Sequence, residues 1–432
     1  MAAEPRIAVV FTQLGLGGAE RQHFLLLRRL AERRHPWRPV LVACLSEDLD
    51  PYGPALRDLG YPLRVLPRAR SFDLRRLLHL RRLFREERID LCHAVHLLAS
   101  GYCWLAARGG GPPVLPTVRG GVTGRGRLRR LLYALAFSRS PVILANSDRG
   151  REAVETAWGI PPGVIDVIPN GFDLGAIARE AAAPVLRRER GIPAGAPVVL
   201  YVGKRTPVKD IPLLAATLRL AMEADPSLHG AVAGIGLGED ARDPLFAALP
   251  RERLHLLGPR PDVPALLGDA DALLLTSRSE GFPNVVVEAL AAGVPVVSTA
   301  VGDVPRIVRD GVTGRVVPPG SPGELAAALG NVLAERDAFR ARVRQDLPRL
   351  AARYGLDAMV DRTLAAWARL LALRARADGR TGRFPPSGAG GPRQGRGGGG
   401  GPGQGDPPDV SASANCRTGC DYSAPPADCT ER

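Results

Sequence analysis

Short apolar runs punctuate the chain, separated by longer stretches in which leucine, valine and alanine return every three or four positions. Residues 7–11 (IAVVF), 39–44 and 63–66 form one group of runs; residues 198–202 (VVLYV), 231–238, 254–258, 272–276 (ALLLT) and 294–299 form another. Runs this short and this uniformly apolar suit parallel strands buried on both faces, and the helical spacing between them supplies the crossovers that parallel strands require. The pattern predicts an α/β fold of two alternating domains that face each other across a cleft, with ligand loops at the carboxyl ends of the strands. Asn170 and Gly171 are turn formers and suit a hinge between the two. Residues 359–376 read as a last helix. From residue 378 to 432 the pattern gives way to a Gly- and Pro-rich stretch centred on GRGGGGGPGQG, which predicts a disordered tail.

The densest chemistry lies at residues 279–302, SEGFPNVVVEALAAGVPVVSTAVG. A strand ends just before it, Glu280 to Pro283 supply a loop, Asn284 reads as an N-cap, and a helix over 285–292 is stopped by Gly293 and Pro295. Unpaired N–H groups at a helix N-terminus suit an anion or sugar hydroxyls, here along the backbone of Gly281, Phe282, Asn284 and Val285, with Pro283, which has no N–H, shaping the loop among them. Glu288, one turn inside, can accept two hydrogen bonds from a vicinal diol such as ribose. Spacing alone also fits a capped surface helix with two solvated glutamates.

Two glycine loops are narrower in meaning than they first look. Gly15 and Gly17 open a helix, but Glu20 breaks the dinucleotide fingerprint. The loop after residue 202 is not a Walker phosphate loop, because Val198 stands where its first Gly belongs and Arg205 where Ser or Thr belongs. That second loop does hold both lysines of the chain, Lys204 and Lys209; every other basic residue apart from histidine is Arg. Placing both compact cations together suggests a site suited to them. Asp210 follows as a helix cap, with Pro212 in the first turn, and Ser321 opens a capping box ahead of a helix over 325–333.

Composition bounds the partners. With 45% apolar and 24% charged residues and no apolar run near the ~20 residues of a membrane span, the chain reads as a globular cytoplasmic protein. The start, MAAEPRIAVVFTQ, reads as a first strand and not a signal peptide. Six cysteines without C-x-x-C spacing favour neither zinc nor disulfides. Asp269 and Asp271 precede a strand instead of ending one, so they read as a polar helix end and no metal site is expected. The net charge of +14 is concentrated in residues 1–180, with 27 arginines against 17 acidic residues. A helix over 72–88 would turn its leucines to the core and coat other faces with Arg75, Arg76, Arg81, Arg82 and Arg85. Solvated faces and a peripheral contact with the inner membrane surface both fit this. Nucleic acid does not, because 5% aromatic residues offer few stacking platforms.

Glu280, Gly281, Phe282 and Glu288, then Gly293, Pro295, Val296 and Val297, resemble the donor-site frame of retaining family 4 glycosyltransferases, E-G-F-x-x-x-x-x-E followed by A-G-x-P-V-V. Gly302, Pro305, Ile307, Val308, Asp310, Gly311 and Gly314 continue the likeness, with Asp303 and Arg306 departing from a usual Gly and Glu. Upstream, Gly17 and Gly18 resemble the family's G-G-x-E, and Lys204 and Lys209 its G-R-L-x-x-x-K, with Lys204 replacing an arginine. Residues 90–96 (DLCHAVH) resemble its D-x-x-H-x-H strand end, with the second histidine displaced to His96. The segment 114–120 (VLPTVRG) resembles the strand after which many members have histidine, and Arg119 stands in that place here. Residues 142–147 and 167–173 resemble the last strand of the first domain and the passage to the second.

The resemblance covers about residues 6–376 and implies the GT-B fold: an acceptor-side domain over residues 1–175, and a donor-binding domain over 176–377 with a terminal crossover helix. It implies sugar transfer from a nucleotide-diphosphate sugar, UDP more readily than GDP, to a glycan or lipid-linked acceptor in bacterial surface polysaccharide or glycolipid synthesis. Lys204, Lys209 and Glu280 would be catalytic. Gly17, Gly18, Gly258, Arg260, the segment Gly281 to Val285 and Glu288 would bind the donor, Gly258 to Arg260 through backbone groups beside the base. His96 and Arg119 would face the acceptor, with acceptor entry near the glycine-rich basic segment 119–130. No metal or other cofactor is implied. An epimerase or hydrolase of the same fold, or a silent nucleotide-sugar binding protein, stays open.

Overall fold

The computed structural model describes residues 4–15, 17–66, 73–119, 127–238 and 244–379; the predicted tail beyond residue 379 and positions 120–126 of the basic segment lie outside the described residues. The first domain runs β1 (Ile7–Phe11), α1 (Gly18–Glu32), β2 (Leu41–Cys44), α2 (Tyr52–Asp58), β3 (Leu63–Val65), α3 (Leu74–Glu86), β4 (Leu91–Val95), α4 (His96–Ala106), β5 (Val114–Val118), α5 (Arg127–Ser138), β6 (Ile143–Ala145), α6 (Asp148–Trp158) and β7 (Ile165–Val167). The second runs α7 (Leu174–Ala181), α8 (Leu186–Arg190), β8 (Val198–Val202), α9 (Ile211–Ala224), β9 (His229–Ala233), β10 (Leu254–Gly258), α10 (Val263–Asp269), β11 (Ala272–Leu275), α11 (Asn284–Ala291), β12 (Val296–Thr299), α12 (Val304–Ile307), β13 (Gly314–Val317), α13 (Pro322–Ala334) and α14 (Arg336–Tyr354). Then α15 (Leu356–Ala377) returns to the first.

Both sheets are parallel throughout: seven strands in the order β3-β2-β1-β4-β5-β6-β7, and six in the order β10-β9-β8-β11-β12-β13. The apolar runs fill them; β1, β2, β4, β5, β11 and β12 are buried at every position. In each sheet the strand order reverses once, between β1 and β4 and between β8 and β11, and the crevice at such a point is where ligands of open α/β sheets bind.

Two chain crossings join the halves side by side. Phe172 N–H donates to Tyr354 O and Leu356 N–H to Phe172 O, each at 2.9 Å, so Asn170 and Gly171 do lie at the hinge. A Cβ on Gly171 would come within 2.8 Å of Met359 Cβ, which explains the glycine. The last helix begins at Leu356 and buries Leu356, Met359, Val360, Leu364, Trp367, Leu370 and Leu371 with Ile7, Leu26, Leu30 and Leu91 of the first domain. At about 1.5–3 kcal/mol for each large apolar side chain, this stripe holds α15 to the first domain. Ion pairs Arg29–Asp357 (2.7 Å) and Arg33–Asp361 (2.6 Å) flank it.

Three expectations need correction. Asn284 is the first residue of α11 and not its cap; Pro283 takes the cap position, and the Asn284 amide is engaged elsewhere. In α3, Arg76 is buried, donating to Leu66 O (2.9 Å) and Leu45 O (2.6 Å), because its guanidinium closes off strand-end carbonyls and lies over the Tyr102 ring. Leu74 and Leu78 of the same helix face outward, 63% and 65% exposed, because Leu80 and Phe84 take the core side. Among the described residues no helix is long and apolar enough to cross a membrane.

Candidate active site

The second domain builds its wall of the cleft from the loops after β8 and β11, the two strands at its reversal point. After β8 the chain makes a short turn, Pro207–Lys209, and Asp210 caps α9 from a left-handed backbone (φ 49°), accepting from Leu213 N–H. Arg278, from the other loop, grips the Asp210 carboxylate at 2.6 Å. Thr276 Oγ1 donates to Lys209 O (3.1 Å), so the two loops are stitched together below the lysine side chain. Lys209 Nζ then reaches Glu280 Oε1 at 2.5 Å, and Ser277 Oγ donates to the same oxygen at 2.6 Å. Lys204 is exposed and makes no ion pair among the described residues. Gly203 is where a Cβ would come within 2.6 Å of the Tyr201 hydroxyl. That hydroxyl is buried with no hydrogen-bond partner, and burial, with Glu280 adding to it, holds its proton well above the usual phenol range.

The N-terminus of α11 forms the floor. Gly281 opens onto space, since a side chain there would meet nothing within 4 Å. Phe282 turns inward instead, stacking on Phe172 (6.3 Å) and against Tyr354 (5.7 Å), and so anchors the loop by its ring while its backbone stays at the helix entrance. Glu288 is buried one turn inside; burial raises its pKa, and Arg21 of α1, with Nη1 3.4 Å away, works against the shift. Gly258 and Arg260, expected beside the base, have partners within the chain. Gly258 has both backbone polar groups engaged, its N–H by Leu237 O (2.9 Å) and its carbonyl by Gly234 N–H (2.7 Å). The Arg260 guanidinium is held by Asp262 (2.6 Å) and Glu189 (2.8 Å), which raise its pKa.

The first domain supplies the opposite wall. Gly17 caps α1, and a Cβ on Gly18 would lie 3.8 Å from Asn284 Nδ2, so this loop faces the start of α11 directly, with Val285 in its first turn. His96 opens α4 with φ 73°, a strained conformation for a residue with a side chain; such outliers cluster at functional sites. Its Nε2 is 3.8 Å from Glu20 Oε1, its Nδ1 is buried and unpartnered, and burial lowers its pKa, so it is neutral near pH 7. Arg119 Nη1 donates to Asn170 Oδ1 (2.8 Å), and Asn170 Nδ2 donates to Asn284 Oδ1 (2.7 Å). Burial brings the Arg119 pKa down to about 10, opposed by Glu20.

The structure therefore brings Lys209 against Glu280, sets Gly18, Asn284 and Glu288 face to face with the first domain, and places His96 and Arg119 with Glu20 in the facing wall. Arg21, Ser277 and Tyr201 were not marked by any local pattern, and Asn170 was marked only as a turn former of the hinge. Asp269 and Asp271 are structural, accepting the N–H of Arg187 and of Val198 at 2.9 Å each. Among the described residues no group of three His, Cys, Asp or Glu side chains gathers to hold a metal ion.

Two family models divide the chain much as its two domains do: Glycosyltransferase Family 4 matches residues 16–176, and Glycosyl transferases group 1 matches residues 183–347. The chain belongs to this family of glycosyltransferases, and its fold is GT-B. It is similar to the D-inositol 3-phosphate glycosyltransferase of Mycolicibacterium vanbaalenii, 30% identical over 322 residues that cover 68% of this chain and 70% of the relative. The protein of that name from Mycobacterium tuberculosis H37Ra is 32% identical over 293 residues, 66% of this chain and 57% of its own length. Among solved structures, HepE of Anabaena in complex with UDP superposes with a TM-score of 0.72 at 20% identity, covering 84% of this chain and 100% of that one.

Proposed function

We propose that the chain transfers a sugar, with retained anomeric configuration, from a nucleoside diphosphate sugar, uridine in preference to guanosine, to a glycan or lipid-linked acceptor in surface polysaccharide or glycolipid synthesis. The observation that carries this reading is the Lys209–Glu280 pair at the reversal point of the second sheet, beside the open N-terminus of α11. Lys204, Lys209 and the helix N–H groups take up the charge that develops on the leaving diphosphate, so no metal ion is needed for that task. Glu288, ionised, accepts the ribose hydroxyls, and Glu280 takes the transferred sugar when Lys209 turns to phosphate. His96 and Arg119 meet the acceptor; Arg119, charged at neutral pH, suits one that bears phosphate, as the name of the mycobacterial relatives says of theirs. The enzyme works in the cytoplasm and touches the inner membrane face through α3, where Leu74 and Leu78 lie exposed beside Arg75 and Arg82.

Calorimetry of UDP and GDP against the full chain tests the donor site. One nucleotide binds, and Lys209→Ala and Glu288→Ala each weaken it by about 10–100-fold, as the loss of a charge-assisted contact does. Absence of binding by both nucleotides would refute the transferase reading. His96, neutral and with its Nδ1 unpartnered, favours one competing chemistry, proton abstraction in an epimerase or hydrolase. Release of free sugar or of an isomerised donor without any acceptor would decide for it.

A further inference from the structure

We propose that the back of the first domain carries a second anion site, separate from the cleft, that takes a phosphate-bearing ligand. A groove of about 530 Å³ is lined by Arg81 and Arg85 of α3, Arg88 after it, Arg108 after α4, Arg374 of α15, and Phe84. Asp90 and Pro113, also on its wall, stand immediately before β4 and β5, whereas His96 and Arg119 stand immediately after them. The groove and the cleft thus lie at opposite ends of the same two five-residue strands, roughly 16 Å apart along them.

The charges in the groove are not balanced from within. Its two acids are engaged: Asp90 Oδ2 accepts the Arg6 N–H at 2.9 Å, and Asp378 pairs with Arg374 at 3.0 Å. Arg81, Arg85, Arg88 and Arg108 make no ion pair among the described residues. Like charges gathered in a concave site repel, and a bound anion relieves the repulsion. The groove is also built to hold them. The Arg108 guanidinium lies 5.0 Å over the Trp104 ring, and Gly109 is where a Cβ would press to 3.2 Å from Arg81 Nη2, so the glycine leaves room for that arginine. Guanidinium forks match phosphate oxygens two at a time, and a volume of several hundred Å³ suits a discrete ligand. With Phe84 its only aromatic side chain among the described residues, the groove offers no run of stacking platforms for nucleic acid.

Two sources of phosphate fit. A soluble phosphate ester would fill the groove, and a lipid headgroup would do so with Leu74 and Leu78 in the membrane, since Leu74, Leu78, Arg81 and Arg85 follow one helix face at steps of four, three and four. In either case the ligand bridges α3 to the last turns of α15. The inference does not rest on the transferase reading.

The test uses the full chain carrying Lys209→Ala, so that the cleft lysine does not contribute, with two probes: inorganic pyrophosphate by calorimetry, and phosphatidylglycerol against phosphatidylcholine vesicles by co-sedimentation. Saturable pyrophosphate binding weakened by about tenfold or more in Arg81→Ala/Arg88→Ala, and by less than about twofold in Arg82→Ala, supports the site with a soluble ligand. Arg82 is the control because it sits on the same helix, pairs with Glu86 and does not line the groove. The same ranking with phosphatidylglycerol vesicles alone supports a headgroup. Should the double variant lose its circular dichroism spectrum, Arg85→Gln/Arg108→Gln carries the comparison. Equal losses in the groove and control variants, or no saturable binding of either probe, overturn the proposal.

Discussion

Glu288 sits where its charge is costly and useful at once. Burial raises its pKa above the ordinary carboxylate value of 4.5, while Arg21 offsets part of the cost from across the cleft. Above the raised pKa the buried charge subtracts stability, and acidification through it removes the penalty. In the proposed donor role the dependence runs the other way, because only the ionised form accepts two hydrogen bonds from a ribose diol. Affinity for UDP should therefore decline as pH falls through the acidic range, at a higher pH than an ordinary glutamate would require, and Glu288→Gln should bind about tenfold more weakly with no such decline. Titration calorimetry across that range reads both; an unchanged pH profile in Glu288→Gln would remove Glu288 from the donor site. At this scale the sequence was most informative where chemistry is local. Lys209, Glu280 and Glu288 stand in the short motifs that carry the family resemblance, although spacing alone left a capped surface helix open. Arg21 and Asn170 meet their partners across 267 and 114 residues, and no local pattern encodes such meetings.

At the scale of elements, the strands were legible because a strand buried on both faces leaves a continuous apolar run, whereas the orientation of α3 was not. That helix has leucine on two faces, at 74 and 78 and at 77, 80 and 83, and helical spacing alone does not choose between them; packing against α4 does, with Leu80 and Phe84 in one core with Ala99, Tyr102 and Cys103. The crossover helix α15 was visible as a helix, but its anchor was not. Trp367 Nε1 donates to His93 Nδ1 at 3.3 Å, and His93 Nε2 faces Thr117 Oγ1 at 2.8 Å, which sets the imidazole as the Nε2–H tautomer in the neutral state. Burial, with Arg119 adding to it, brings the His93 pKa down from 6.5 to about 3. The unfolded chain therefore takes up this proton first as pH falls. The stability from neutral His93 is complete above about pH 6.5 and is lost between there and about pH 3, by up to roughly 1.4 kcal/mol per pH unit. Replacing His93 with Gln should lower Tm at pH 7 and flatten its fall between pH 6.5 and 4; a parallel fall in both proteins would show that other groups carry the acid sensitivity.

For the molecule as a whole, the two departures from the family frame acquire a physical account. Arg306 reaches Asp148 (3.2 Å) and Glu152 (3.7 Å) on α6 of the first domain, and the buried Asp303 accepts the Asp148 N–H at 3.4 Å. With Arg21–Glu288 and Asn170–Asn284, these contacts hold the halves in the arrangement that faces Gly18 to Asn284. Each exposed pair contributes only about 0.2–1 kcal/mol, but an equilibrium between open and closed arrangements responds to differences of that size. Arg306→Glu turns attraction to Asp148 and Glu152 into repulsion and leaves the donor loops of the second domain untouched. Sugar transfer should fall by about tenfold while UDP affinity stays within about twofold, and small-angle scattering should report a larger radius of gyration. Because the repulsion acts between partly exposed charges, raising the salt to about 0.5 M should restore part of the activity. Loss of UDP affinity in step with transfer would place Arg306 in the donor site; loss of neither would mean that these contacts do not govern closure.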